Sequence, residues 1–155
     1  MHYAGRTIAL ATQHRKERVL QRPFQWGLGL HLQRADRVDT DRFGCFSGER
    51  SRPADALTTC RLKAEAAMDA LGLGLGLASE GAFGPHPSVP LLPIGQEWLV
   101  FVDRPNGLMI HEYQISSRTN YSSCRTAHSS ALAGWLQEVG FPAHAVMVKS
   151  HRPVE

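Results

Sequence analysis

Between Gly72 and Pro87 the chain reads GLGLGLASEGAFGPHP, with Leu73, Leu75 and Leu77 alternating with Gly74 and Gly76. A period of two predicts a strand with one bulky face and one bare face. A bare face lets a helix, another backbone or a ligand come close. The strand ends in Ser79-Glu80-Gly81 and runs into Gly84-Pro85-His86-Pro87. An acidic residue at the carboxyl end of an apolar strand, before a stiff loop, stands where open α/β sheets carry their ligand sites.

The pattern elsewhere supplies partners for this strand. Arg6 to Thr12 (RTIALAT) reads as a first strand, followed from Lys16-Glu17 by a helix to about Trp26 that Gly27 stops. Pro23 should break or kink that helix near its middle. Gly29 to Ala35 reads as a second strand, and the polar, arginine-rich stretch Asp36 to Pro53 as a long loop. Ala54 to Leu71 is the clearest helix. Asp55 is its N-cap, Gly72 follows its end, and Leu57, Cys60, Ala64, Ala67 and Leu71 form one apolar stripe. Pro85 to Pro93 reads as a link to a second half. There Glu97–Asp103 and Leu108–Ile115 flank Asn106-Gly107, a strong hairpin signal. Ala131 to Val139 predicts a short helix ended by Gly140, and Ala143 to Val148 a closing strand. This order gives a single α/β domain over residues 1–155, a mixed sheet covered by helices with a hairpin in the second half.

Composition narrows the setting. The chain has 155 residues, 43% hydrophobic and 20% charged, which is globular, and no apolar run approaches the length of a membrane span. The apolar stretch at the N-terminus is too short for a signal peptide. Cys45, Cys60 and Cys124 are isolated and odd in number, which points to reduced thiols in a cytoplasm. The charge of +3 is uneven, with ten Arg/Lys against six Asp/Glu in residues 1–60. No compact basic run with interleaved aromatics accompanies it, so a small anion fits better than nucleic acid. Composition leaves room for a homodimer.

Three groups of residues carry candidate chemistry. Thr12, His14 and Lys16 follow the first strand at a helix start, where a hydroxyl, unpaired N–H groups and a point charge suit a phosphate. The glycines of a Walker A loop are absent. Glu80 beside Ser79, with Glu49 in the long loop, could meet Mg²⁺ held against a phosphate chain. Asp103 reads as an ordinary turn residue. His86, fixed between Pro85 and Pro87, reads as a loop anchor with a place at the site's margin. No nucleophile elbow or Cys/His pairing is present.

The segments ALATQHRKER (9–18), DRFGCFSGE (41–49), ALTTCRLKAEAAM (56–68) and LGLASEGAFGPHP (75–87) resemble an uncharacterised bacterial domain family. Longer members continue into a cysteine-containing tail, so the resemblance implies that this chain lacks a C-terminal extension. More distantly, the order is similar to the inosine/xanthosine triphosphate pyrophosphatase superfamily, which includes the Maf-type enzymes. That resemblance puts Thr12 and Lys16 in a phosphate-binding turn and Arg61, Lys63 and Ala64 in the following helix. It puts Glu80-Gly81 at the acidic strand end and Trp98 to Asp103 in the apolar strand after it. Gln13 and Thr58 depart from the pattern, Thr58 standing where an acid is expected. The expectation is a cleft near Thr12, Lys16 and Glu80 that binds a small phosphorylated ligand such as a nucleotide. Glu80 would hold Mg²⁺ or an attacking water if the protein hydrolyses it. The alternative is a binding or interaction module without the chemistry.

Overall fold

In a computed structural model that describes residues 2–12, 16–36, 38, 55–86 and 88–149, the elements alternate as α/β patterning requires. They are β1 (Thr7–Ala11), α1 (Glu17–Leu28), β2 (His31–Arg34), α2 (Ala56–Leu71), β3 (Leu75–His86), β4 (Val89–Asp103), β5 (Leu108–Ser116) and α3 (Ala133–Glu138). The five strands form one sheet in the order β2-β1-β3-β4-β5. β1 runs parallel to β2 and to β3, with Ala9 opposite Gln33 on one side and Gly76 on the other. Each of those parallel returns is made through a helix, as a crossover must be. From β3 onward the strands turn back on one another antiparallel. The expected mixed α/β sheet is therefore present.

Alternation along the central strands sorts the core into two layers. Ile8, Leu10, Leu75 and Leu77 point to one face, where Leu20 and Phe24 of α1 pack against them. Ala9, Ala11, Ala78, Val100 and Val102 point to the other and meet Cys60, Ala64, Ala67 and Met68 of α2. Small residues on the α2 face let that helix lie close. A β-carbon on Gly76 would stand 2.5 Å from the Met68 sulfur and 2.9 Å from the Ala64 carbonyl oxygen. The bare face of the Leu/Gly strand is thus bare for a helix. Gly74 is bare for a turn, since a β-carbon there would meet the Pro105 ring at 2.9 Å.

The ends of α2 are set locally. Asp55 accepts hydrogen bonds from the Thr58 backbone N–H and from the Thr58 hydroxyl, both at 2.9 Å, and Gly72 closes the helix at φ +64°. The β4–β5 turn is fastened by Asp103, which is fully buried. It accepts from the Asn106 side chain at 2.6 Å and from the Tyr3 hydroxyl at 3.0 Å. Those bonds, the Asn106 one foremost, hold its carboxyl below the usual range against the opposing pull of burial. The ordinary turn role expected of Asp103 is the one it has.

Several boundaries differ from the pattern. α1 runs through Pro23 to Leu28 and closes on Gly29, not Gly27. Leu20 and Phe24, on either side of the proline, both anchor in the core, and that packing carries the helix past its missing hydrogen bond. The expected link Pro85 to Pro93 lies instead within β3 and β4, which extend to His86 and from Val89. Pro85, Pro90 and Pro93 are exposed, and strands accept proline where no N–H is asked of it. Ala143 to Val148 is not a strand: it has no ladder partner among the described residues, and Met147 and Val148 are 61% and 90% exposed. The expected helix 131–139 is a 3-10 turn over Ser129–Leu132 followed by α3. The loop read at Asp36 to Pro53 falls largely outside the described residues.

By contact density the chain divides into two units, Met1–Ala82 with Gln96–Ile115, and Phe83–Gly95 with Ser116–Glu155. The first holds both core layers. In the second, Trp135 donates its indole N–H to the Ser122 hydroxyl at 2.9 Å, and Asn120 donates to the carbonyl of buried Val139 at 3.1 Å. No helix among the described residues is long and apolar enough to cross a membrane.

Candidate functional site

Beyond the last residues of β1 the chain enters α1, and Thr12 ties the two together by accepting the Lys16 backbone N–H on its hydroxyl oxygen at 3.3 Å. This places the Lys16 side chain over the sheet. Its ammonium group donates to the Ser79 hydroxyl at 2.7 Å and to the Glu97 carboxylate at 2.6 Å. The group is 30% exposed and Glu97 49%, so the pair faces water and is held loosely.

Lys16, Ser79 and Glu97 share the wall of a cleft of about 520 Å³ with Val19 and Leu20 of α1, Leu99 of β4, and Glu112, Tyr113 and Gln114 of β5. Apolar side chains and a few charged ones line it, the make-up of a small-molecule site. Two of the charged ones are carboxylates, Glu97 and Glu112. The hairpin brings these together. Its strands diverge from the turn at Asp103 and Leu108, so positions equally far from it lie side by side. Glu97 and Glu112, six and four residues out, are diagonal neighbours on one face. Trp98 and Tyr113, five residues from Asp103 and from Leu108, stack at 4.4 Å on the sheet.

Glu80 lies elsewhere. Successive strand residues point to opposite faces, and Ser79 and Glu80 obey this. Ser79 turns toward Lys16, while Glu80, 4% exposed, turns toward α2 and accepts from the Lys63 ammonium group at 2.5 Å. Lys63 is only 11% exposed, so the two form a buried ion pair. Removing one member of such a pair strands the other's charge, at a cost of about 3–5 kcal/mol. Cys60 lies in the same layer and donates its thiol to the Ala78 carbonyl at 3.1 Å. Burial, and next the Glu80 charge, push that thiol from its ordinary 9.0 up to about 12.

The structure therefore brings Thr12, Lys16 and Ser79 together and sets Lys63 and Glu80 on the other side of the sheet. His86 lies in the second unit, its Nδ1 accepting the Ser88 backbone N–H at 3.1 Å, which is the loop anchor the sequence suggests. His14 and Glu49 lie outside the described residues. Thr58, read as a missing acid, is engaged with Asp55 at the helix start. No group of three or more metal-ligating side chains occurs among the described residues. The cleft also contains residues that sequence reasoning passed over, chiefly Glu97 and Glu112. Their signal lay in the hairpin: once Asn106-Gly107 fixes the turn, the facing and diagonal positions on its two strands can be counted off, and Glu97 and Glu112 are a diagonal pair.

A family model described as Domain of unknown function (DUF6671) matches residues 63–154. No curated protein and no solved structure matches the chain, so the likeness to the pyrophosphatase superfamily stays one of motif order.

Proposed function

The chain belongs to DUF6671, a domain family of unknown function, and we propose that its Lys16 cleft binds a small phosphorylated molecule, such as a nucleotide. The observation that carries this reading is the Lys16 ammonium group, poised between Ser79 and Glu97 at the mouth of a cleft of about 520 Å³. An exposed ion pair such as Lys16–Glu97 contributes only about 0–1 kcal/mol. A charge-assisted bond to phosphate contributes about 1.5–3 kcal/mol, so an arriving phosphate takes Lys16 from Glu97 at a net gain. Ser79 supplies a second polar contact, and Val19, Leu20 and Leu99 receive the apolar part of the ligand.

Hydrolysis is the second reading, and the two carboxylates of the cleft favour it. Glu97 and Glu112 are hard oxygen donors of the kind Mg²⁺ takes beside substrate phosphates. When bound, the cation would neutralise charge on the phosphate chain and polarise it. In this reading Glu97 and Glu112 hold the ion, because the Glu80 carboxylate is engaged by Lys63 on the opposite face. The setting is the cytoplasm, which the isolated cysteines suit.

A thermal-shift screen of nucleotides with and without Mg²⁺ tests both readings, since a ligand of the native state raises its melting temperature. Titration calorimetry on a hit should then show Lys16→Ala binding at least about tenfold more weakly. Unchanged affinity would remove Lys16 from the site. Phosphate or pyrophosphate release that needs Mg²⁺ and falls in Glu97→Gln separates the enzyme from the binder.

A further inference from the structure

The sheet ends on two edges of different kinds. β2 is four residues long, and its Arg34 is paired with Glu17 and Asp36. β5 is nine residues long, LMIHEYQIS, without proline, lysine or arginine. Its Leu108, Met109, Ile110, Tyr113 and Ile115 are 38–50% exposed. Among the described residues no strand lies beyond it. Shortness, charge and proline are the ordinary means by which edges are closed to pairing. β2 is short and carries paired charge, whereas β5 has little of any of them.

An open edge presents a row of backbone donors and acceptors that an added strand satisfies. The sequence of β5 says which strand. Along the face that carries the Trp98–Tyr113 stack, its residues run Met109, His111, Tyr113, Ile115, an apolar–ring–ring–apolar series that reads alike in both directions. Antiparallel pairing about a two-fold axis through Glu112 matches all nine residues with a second copy of themselves. Met109 then faces the partner's Ile115, and His111 faces the partner's Tyr113. The Trp98–Tyr113 stack thereby continues into the neighbouring chain. Two such series match each other without any change of partner, as an isologous interface requires.

We propose that β5 is the interface of a homodimer, formed by antiparallel addition of the same strand from a second copy. The other face of β5 gives the contact a signature of its own. There Glu112 meets the partner's Glu112, and like charges directly opposite one another weaken a strand pair. The association is therefore weaker than its apolar face alone would make it, and it responds to that one charge.

Sedimentation velocity of the full chain across the micromolar range tests this. The expected result is a monomer–dimer equilibrium that Met109→Lys and Ile115→Glu each weaken by about tenfold or more, a charge now facing an apolar partner. Combining the two substitutions sets opposite charges face to face at both ends of the junction and should restore the dimer. Glu112→Gln, an exposed and conservative change, should tighten it several-fold. Circular dichroism establishes that each variant is folded, and the Glu112→Gln result stands even if the other substitutions disturb the strand. A chain that is monomeric throughout overturns the proposal. So does a dimer indifferent to the single substitutions, a double variant as weak as either single one, or a Glu112→Gln dimer no tighter than the parent.

Discussion

Gly76 and Cys60 show how far single positions are fixed by what lies against them. At Gly76 a side chain would have to displace the Ala64 carbonyl as well as the Met68 sulfur, and a helix backbone does not yield cheaply. Gly76→Val should therefore cost about 1–3 kcal/mol in urea melts. Gly74→Val should cost less, because its neighbour, Pro105, sits on an exposed turn that can shift. Cys60 makes its own prediction. Its thiol is raised from 9.0 to about 12 in the folded chain, so above pH 9 the unfolded chain loses a proton that the folded chain keeps. The stability this group contributes is complete below that pH and drains away as pH rises toward 12. Urea melts on either side of pH 9 should show a fall that Cys60→Ala makes shallower. The glycines were legible because alternation is visible in the letters. The raised thiol was not, because it depends first on burial against the packed sheet and then on Glu80, twenty positions along the chain and on another element.

Helices and strands were legible where both of their ends carry a chemical signal. α2 has Asp55 and Gly72 and formed close to where it was read, and the turn of the β4–β5 hairpin did so at Asn106-Gly107. β4, by contrast, starts at Val89, well before Glu97, where no such signal stands. The closing strand at Ala143 to Val148 rested on apolar residues alone, and such a run says nothing about whether a neighbour exists to complete its ladder. α1 shows the opposite case, a local breaker overruled by packing. Pro23 deprives the helix of one hydrogen bond, yet Leu20 and Phe24 hold it on the sheet. Proline in a helix interior costs up to about 3 kcal/mol, so Pro23→Ala should raise stability by a good part of that. A thermal melt that does not move would mean that the first turns of α1 are held by packing alone.

Across the whole molecule, the α/β order was legible because strands and helices alternate in the sequence as they do in the sheet. The site was legible only in part. Thr12, Lys16 and Ser79 do converge, and Glu80 was grouped with them because it is an acid at the carboxyl end of the same apolar strand. Adjacent residues of a strand are the two that cannot share a face, so the sheet stands as a wall between Lys16–Ser79 and Lys63–Glu80. That wall constrains how the gene can change. One codon lost between Leu75 and Ser79 would present Lys16 with the Glu80 carboxylate and leave Lys63 of α2 facing Gly81, which has no side chain. One codon gained would leave Lys63 facing the Ser79 hydroxyl and take that hydroxyl from Lys16. Either way both lysines lose their partners on β3 in a single step, the more exposed Lys16 harmlessly and Lys63 with a buried charge left uncompensated. Related chains can therefore be expected to vary the letters of this strand more freely than its length.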